Sequence, residues 1–343
     1  MYIENINSPK DIKELSVEQL SVLAEEVRTA LIRKLSEHGG HIGPNLGMVE
    51  TTIALHYVFN SPIDKIVFDV SHQSYVHKML TGRMAAFLDP AKYDDVTGYT
   101  NPDESEHDFF TIGHTSTSVS LAMGLAKGRD LTGGKENIIA VIGDGSLSGG
   151  EALEGLNNAA MLGSNMIIIV NDNDQSIAEN HGGLYKGLKE LRDTNGESPD
   201  NIFKAMGLEY YYLGDGHDVS ALIKLFTSVK DIDRAVVLHI HTIKGKGLKY
   251  AEENKEYWHA GGPFHIEDGS PKGPGWPVNE TVRESVLDLI EKRSDVVAIT
   301  AGTPSVIGFT EDYRKRAGKQ FVDVGIAEEH AVAMASGIAR NGG

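Results

Sequence analysis

The sequence contains no cysteine and has far fewer basic than acidic side chains. Without cysteine, the chain can form no disulfide, no thiolate zinc site and no cysteine nucleophile. Its 32 Lys and Arg against 49 Asp and Glu give a formal net charge of −17, which argues against nucleic acid or an anionic membrane as a partner. No apolar run reaches the length of about 18 residues that a bilayer requires, and no signal-peptide pattern is found. We therefore expect a cytoplasmic protein without a membrane span.

Two short aliphatic runs predict neighbouring strands of a parallel sheet. Residues 137–142 and 166–170 are rich in β-branched and aliphatic side chains, which is typical of strands buried on both faces. Between them, residues 148–162 carry apolar side chains mostly at helical spacing, and Gly163 follows as a stop signal. This unit predicts an α/β fold with a doubly wound, mostly parallel sheet, in which ligands bind at the carboxyl ends of the strands.

The two predicted strands are each followed by polar residues that suit a metal ion. Residues 143–146 (GDGS) follow the first strand and residues 171–173 (NDN) follow the second. Because adjacent parallel strands lie about 4.8 Å apart, Asp144 and Asn173 can reach a single ion. The glycines allow close backbone approach and the next helix begins beside them, as in phosphate-binding termini. A divalent cation would reconcile a carboxylate with a diphosphate, so we predict a Mg²⁺-diphosphate site with Asp144, Asn173 and the Gln175 carbonyl as metal ligands.

Three other readings of these motifs fit less well. The segment from Gly143 to Ser148 lacks the third glycine of the dinucleotide fingerprint, which argues against a nicotinamide site. A calcium loop starting at Asp172 would need a glycine at Ile177 and a glutamate at Gly183. The sequence contains no GxxxxGK[ST] motif, which argues against a P-loop.

Five segments, in this order, resemble the 1-deoxy-D-xylulose-5-phosphate synthases, a family of transketolase-like enzymes that use thiamine diphosphate. They are residues 40–47 (GHIGPNLG), 69–75 (DVSHQSY), 113–118 (GHTSTS), 171–180 (NDNDQSIAEN) and 323–330 (DVGIAEEH). The resemblance implies a thiamine diphosphate-binding fold with thiamine diphosphate and Mg²⁺ as cofactors. It also implies decarboxylative condensation of pyruvate with D-glyceraldehyde 3-phosphate to 1-deoxy-D-xylulose 5-phosphate, a precursor of isoprenoids, thiamine and pyridoxal.

Glu328 is the residue that the resemblance assigns to cofactor activation. A carboxyl group that bonds N1′ of the aminopyrimidine favours the tautomer whose 4′ nitrogen takes the C2 proton. We expect an apolar pocket around Ile326 and Ala327 to raise the pKa of Glu328. Glu329 competes for this role, and both glutamates could instead be helix N-terminal acids that favour the helix dipole.

Further site residues follow from the same resemblance. His41 and His114 are expected to donate protons near the reacting atoms, His72 to bind the diphosphate, and His259 to lie near the site. Lys244 could offer a cation to the diphosphate or lie solvated at the surface. Ile177 could pack on the thiazolium or belong to the core. The remaining cofactor-binding candidates are Gly113, Ser116, Gly145 and Ser146, whereas His241, His265 and His330 are interpreted as structural.

The chain divides into a diphosphate-binding domain over residues 1–260, a Gly/Pro-rich linker over 261–277 and the start of a pyrimidine-binding domain over 278–343. The second domain is expected to be truncated, as the family continues past Gly343. Residues 180–201 are shorter than the family's insertion, and their composition predicts a mobile excursion near the site.

The resemblance also implies a homodimer, with a C-terminal partner chain as a further possibility. Two alternatives stay open at this point. The chain could be a transketolase or a 2-oxo-acid dehydrogenase E1 component, which would use the same diphosphate site. It could also be an inactive fragment that binds cofactor or a partner, because its incomplete second domain would leave strand edges and an apolar helix face unpaired.

Overall fold

The computed structural model describes residues 1–273 and 280–343, and in this part of the chain no helix is long and apolar enough to cross a bilayer. The strands are β1 (Gly40–His41), β2 (Lys65–Phe68), β3 (Ile138–Gly143), β4 (Met166–Asp172), β5 (Glu209–Leu213), β6 (Ala235–His241), β7 (Ala260–Gly261), β8 (Ala298–Thr300) and β9 (Phe321–Asp323). The helices are α1 (Pro9–Ile12), α2 (Val17–His38), α3 (Gly43–Gly47), α4 (Val49–Val58), α5 (Tyr75–Lys78), α6 (Ala85–Leu88), α7 (Ser118–Thr132), α8 (Gly150–Ala159), α9 (Gly183–Asp193), α10 (Ile202–Ala205), α11 (Val219–Val229), α12 (Lys249–Glu253), α13 (Glu280–Lys292), α14 (Glu311–Ala317) and α15 (Glu328–Arg340).

A five-stranded parallel sheet in the order β2-β3-β4-β6-β5 forms the centre of the molecule, and this confirms the predicted α/β fold. Successive residues of a strand point to opposite faces, so each strand contributes to two cores. Ile138, Ala140 and Ile142 of β3 join the core that contains residues of α7, α8 and α9. Ile139 and Val141 join the core that contains residues of α4 and α11. Helices therefore cover both faces of the sheet, as the uninterrupted aliphatic runs predict.

Helix α2 packs outside this sandwich and leads the chain to the first histidine of the site. It begins with a capping box, in which the Ser16 N–H donates to Gln19 Oε1 and the Gln19 N–H donates to Ser16 Oγ. It ends before Gly39, whose φ of +80° favours glycine and whose Cβ would lie 2.5 Å from the Gly261 carbonyl oxygen. The chain then pairs β1 with β7 antiparallel, so His41 lies on a two-residue strand.

The prediction of an irregular excursion over residues 180–201 is wrong for most of that segment. Residues 183–193 form α9, and Tyr185, Leu188 and Leu191 are buried against the sheet. These side chains follow helical spacing, which the many glycines and charged residues around them obscured. Ser198 and Asn201 are also buried, and Asn201 caps α10 through its side chain.

Residues 280–343 form a smaller α/β body in which β8 and β9 pair in parallel. Its own core contains Leu287, Ile290, Phe309 and Ala317. The first residues of the predicted linker pack on the N-terminal body, since Gly261 pairs with Gly40 and Phe264 is buried beside Trp258. Residues 274–277 of that linker and the first two residues of the predicted second domain lie outside the described residues. The boundaries at 260 and 278 stay predictions.

Candidate active site

The carboxyl ends of β3 and β4 bring Asp144 and Asn173 to the same edge of the sheet. The last residue of β3, Gly143, pairs with Asn171 of β4. The Asp144 carboxylate is buried and accepts hydrogen bonds from the Gln175 N–H at 3.0 Å and from Asn180 Nδ2 at 2.6 Å. Asn173 Oδ1 is buried and has no hydrogen-bond partner within the described part of the chain. An unsatisfied buried oxygen beside a buried carboxylate is the kind of donor set that a hard cation requires.

Two buried ionisable groups at this edge, Asp144 and Lys244, have pKa values shifted towards their neutral forms. Burial raises the pKa of Asp144 to about 8, and repulsion by the neighbouring Asp172 carboxylate acts in the same direction. Burial lowers the pKa of Lys244 to about 7, although the charge of Asp144 opposes this shift. Lys244 Nζ donates to the Ser176 carbonyl at 2.5 Å, so this lysine is not the solvated surface residue of the alternative interpretation. A bound divalent cation would favour the ionised carboxylate.

The loop around Ser116 is fixed against the GDGS turn. Ser116 has a φ of +74°, and its N–H donates to Asp69 Oδ1 at 2.8 Å while the Ser118 N–H donates to the other oxygen at 2.9 Å. Ser116 Oγ donates to the Ser146 carbonyl at 2.8 Å, so this hydroxyl joins two loops of the site. Gly145 lies so close to the loop after β4 that a Cβ there would be 2.9 Å from the Ser176 Cβ.

His41, His72 and His259 come together although they are far apart in sequence. Their ring centroids are 5.0 Å apart for His41 and His72, 5.3 Å for His72 and His259, and 5.8 Å for His41 and His259. Asn45 joins two of these segments, because its Nδ2 donates to the carbonyls of both His41 and His72 at 2.8 Å. The Ile42 N–H donates to the His259 carbonyl at 3.0 Å. The cluster is thus held by hydrogen bonds to the backbone of strand β1 and of the segments that carry His72 and His259.

Burial keeps these three imidazoles neutral. It lowers the pKa of His41 to about 4 and the pKa values of His72 and His259 well below the ordinary value, and the neighbouring His41 and Lys244 add to the shifts of His72 and His259. Nδ1 of His72 and Nδ1 of His259 are buried without a hydrogen-bond partner among the described residues. Neutral imidazoles with free nitrogens are able to bind a polar ligand and to exchange protons with it.

His114 and Glu328 lie on two exposed segments and are close enough for the Glu328 charge to act on His114. His114 lies beside the exposed Gly113, and the Thr115 carbonyl raises its pKa; the carboxylates of Glu328, Asp69 and Glu329 add to this shift. The apolar pocket expected around Glu328 is wrong, because Glu328 is exposed in the first turn of α15 and that helix buries none of its residues. Ile326 is buried, and its carbonyl accepts a hydrogen bond from Ser148 Oγ at 3.0 Å.

Two predicted residues lie in the loop after β4, and three further residues near the site were not predicted. Gln175 and Ile177 are half-buried. Asn180, which donates to Asp144, lies in the family-like segment 171–180 but has no sequence signal of its own, and neither has Tyr99, whose ring lies 5.7 Å from His41. Tyr185 donates to the Gly145 carbonyl at 3.1 Å, and its position on α9 was hidden by the predicted excursion.

Residues 3–198 and 193–242 match the family model described as 1-deoxy-D-xylulose-5-phosphate synthase. The chain belongs to this family. It is 40% identical over 380 residues to the 1-deoxy-D-xylulose-5-phosphate synthase of Carboxydothermus hydrogenoformans, covering 99% of this chain and 60% of that protein. It is likewise 40% identical over 379 residues to that of Clostridium beijerinckii, covering 99% and 61%. The chain thus spans about 60% of the length of these curated synthases.

Solved transketolases share the fold of this synthase-family chain. The transketolase of Campylobacter jejuni superposes with a TM-score of 0.58 at 17% identity, covering 96% of this chain and 64% of that one. The transketolase of Leishmania mexicana gives 0.55 at 16% identity, covering 92% and 61%. At such identities the likeness concerns the fold alone.

The chain is shorter than its relatives within the matched region. The alignment with the Carboxydothermus protein is 380 positions long but covers 99% of only 343 residues, so roughly 40 positions face gaps in this chain. The two segments that match the family model overlap at residues 193–198, which begin at the last residue of α9. This overlap agrees with the shortening that the sequence suggests after Asn180.

Proposed function

We propose that this chain carries the cofactor-binding half of a transferase that condenses pyruvate with D-glyceraldehyde 3-phosphate to 1-deoxy-D-xylulose 5-phosphate, a step of isoprenoid biosynthesis. The observation that carries the proposal is the juxtaposition of the buried Asp144 carboxylate with the unsatisfied Asn173 Oδ1, in a chain of the synthase family. The histidine cluster of His41, His72 and His259 supports the same reaction, because burial keeps the rings neutral at pH 7 and a neutral imidazole offers a polar ligand both a hydrogen-bond donor and an acceptor.

Thiamine diphosphate and Mg²⁺ are the cofactors that these residues would hold. Asp144, Asn173 Oδ1 and the Gln175 carbonyl would coordinate Mg²⁺, which resolves the cost of a buried carboxylate with a raised pKa. The remaining contacts would come from Gly113, His114, Ser116, Gly145, Ser146, Ile177, Lys244 and His72. When bound, thiamine diphosphate supplies a carbon nucleophile and accepts the electrons that decarboxylation releases.

The chain's own side chains would handle the protons. His41 and His259 remain neutral at pH 7, so each ring can donate a proton from one nitrogen and accept one at the other. His114 is exposed, and its raised pKa suits a proton donor. Glu328 would donate or accept the hydrogen bond to N1′ of the aminopyrimidine once a further part of the enzyme covers α15.

The partners follow from the same proposal. The complete enzyme would be a cytoplasmic homodimer, and a chain that supplies the remaining 40% of the relatives' length would contribute further contacts to substrate. The test is a product assay with pyruvate and D-glyceraldehyde 3-phosphate on this chain alone and together with such a partner. Product in the second condition is the expected result, and its absence in both conditions would reject the synthase assignment.

Replacing Asp144 by Asn is expected to abolish Mg²⁺-dependent binding of thiamine diphosphate, because the amide removes the charge that a hard cation requires. Titration calorimetry of the 343-residue chain at several Mg²⁺ concentrations measures this. Asp193→Asn is the matched control, since that carboxylate pairs with Lys189 on the exposed face of α9. Equal binding by the Asp144→Asn and wild-type chains would contradict the proposed metal site.

A further inference from the structure

Arg192 on α9 forms hydrogen bonds to the loop that carries the proposed metal ligand Asn173. Its Nη1 donates to both carboxylate oxygens of Asp172, at 2.8 and 2.7 Å. Its Nη2 donates to Asp174 Oδ1 at 2.6 Å. The guanidinium therefore bonds the residues immediately before and after Asn173, and one rigid planar group fixes both sides of the ligand.

The loop around Asn173 has a strained backbone conformation, which the hydrogen bonds from Arg192 help to hold. Asp174 has a φ of +61°, in the left-handed region that residues other than glycine rarely adopt. Its N–H donates to Asp172 Oδ1 at 3.1 Å, so the same carboxylate that Arg192 bonds also closes the turn. Strained residues persist only where the surrounding contacts hold them, and they cluster at functional sites.

Asp172 is held from the opposite side by the sheet. Its Oδ2 lies 2.7 Å from His239 Nε2, and His239 Nδ1 lies 2.8 Å from the Tyr210 hydroxyl. Asp172 and His239 are fully buried, whereas the Arg192 side chain is 10% exposed and comes from α9. The sheet thus supplies a fixed anchor and α9 supplies the group that connects this anchor to the loop.

We propose that Arg192 is a positioning residue that sets the orientation of the Asn173 amide for the metal. The part of this inference that concerns the metal rests on the proposed function, while the part that concerns the loop does not. Arg192 is the next-to-last residue of α9, immediately before the overlap of the two family-model segments. The shortened segment therefore contains a helix whose last turn carries Arg192, the residue that bonds Asp172 and Asp174.

The first experiment compares Arg192→Gln, Arg192→Lys and Lys189→Gln with the wild-type chain by calorimetry with thiamine diphosphate and Mg²⁺. Arg192→Gln is expected to weaken Mg²⁺-dependent binding by about tenfold or more, as loss of outer-shell partners of metal ligands does. Arg192→Lys keeps the charge without the planar fork, so we expect an intermediate loss. Lys189→Gln removes an exposed cation from the same helix and is expected to bind as the wild type does. Equal affinity of Arg192→Gln and the wild type overturns the role in metal binding.

The second experiment needs no cofactor, so it separates this inference from the proposed function. Hydrogen exchange is measured for the Asp174 and Gln175 amides, which bond Asp172 and Asp144, and for the amides of α9. In Arg192→Gln the two loop amides are expected to exchange about tenfold faster or more while α9 keeps its protection. Unchanged exchange of the loop overturns the inference, as does an equal loss of protection throughout α9, which would reveal a role in docking the helix. A wild-type chain that binds no thiamine diphosphate rejects the proposed function alone.

Discussion

At the scale of single residues, the candidate site is built from ionisable groups that burial holds in their uncharged forms. His41, His72 and His259 have lowered pKa values because the protein replaces water around each ring, and for His72 and His259 the neighbouring His41 and Lys244 add to the shift. These shifts have a consequence for stability. The unfolded chain takes up protons at these histidines near pH 6.5, whereas the folded protein does so only at lower pH.

The free energy of unfolding is therefore expected to fall as the pH is lowered from 6.5 towards 4. Above pH 6.5 both states carry neutral histidines and the contribution is constant. Replacing His72 by Gln should make this fall shallower, by up to about 1.4 kcal/mol per pH unit, because one differential proton uptake is removed. Urea unfolding at pH steps between 7 and 4 measures the slope. His265→Gln, an exposed histidine outside the cluster, is the control, and equal slopes for wild type and His72→Gln would contradict the burial argument.

At the scale of elements, helix α9 connects the shortened segment after Asn180 to the core. The helix buries Tyr185, Leu188 and Leu191 on one side and exposes Lys186 and Lys189 on the other. A helix docked through a continuous apolar face stabilises the protein, whereas a mobile excursion would contribute nothing to the core.

Replacing Leu188 by Ala is therefore expected to lower the free energy of unfolding by about 2 to 5 kcal/mol, since the side chain is fully buried and its removal leaves a cavity. Urea unfolding followed by circular dichroism measures the change. Lys186→Ala on the exposed face should shift it by less than about 0.5 kcal/mol. Equal stability of the Leu188→Ala and Lys186→Ala proteins would show that α9 is not docked as the structure has it.

At the scale of the whole molecule, two bodies of unequal size share the chain. The N-terminal body contains three large cores, while residues 280–343 contain one small core around Leu287 and Phe309. Helix α15 buries none of its residues, and Val332 on it is 70% exposed. Contacts between the bodies include the Arg314 ion pair with Glu256 at 3.0 Å. Small cores bury less of their surface and are less stable.

Residues 280–343 are consequently expected to lose hydrogen-exchange protection at a lower urea concentration than the central sheet. Leu287→Ala should lower the urea concentration at which the small body opens and leave the sheet unchanged. The matched variant Leu222→Ala, in the core of the main body, should do the opposite. Mass spectrometry of peptides from both bodies at stepped urea concentrations measures this. Simultaneous loss of protection in both bodies would show that their contacts make them one cooperative unit.

Much of the fold and part of the site could be predicted from sequence because the signals are local. The aliphatic runs of β3 and β4 locate these two central strands to within two residues, and glycine, aspartate and asparagine at their ends locate the metal candidates. The proximity of Asp144 and Asn173 follows from strand spacing alone. The position of α9 was not predicted, although Tyr185, Leu188 and Leu191 follow helical spacing, because the glycines and charged residues around them indicated an excursion instead.

The sequence by itself determined the alternation of strands and helices and the residues that end the strands, since both depend on residues close together in the chain. Its composition alone excluded cysteine chemistry. Only the tertiary structure decided that the rings of His41, His72 and His259 lie together, that Arg192 bonds both neighbours of Asn173, and that Glu328 is exposed. These contacts join segments that lie far apart in the chain. Burial, which governs their charge, is a property of the assembled layers and of no single segment.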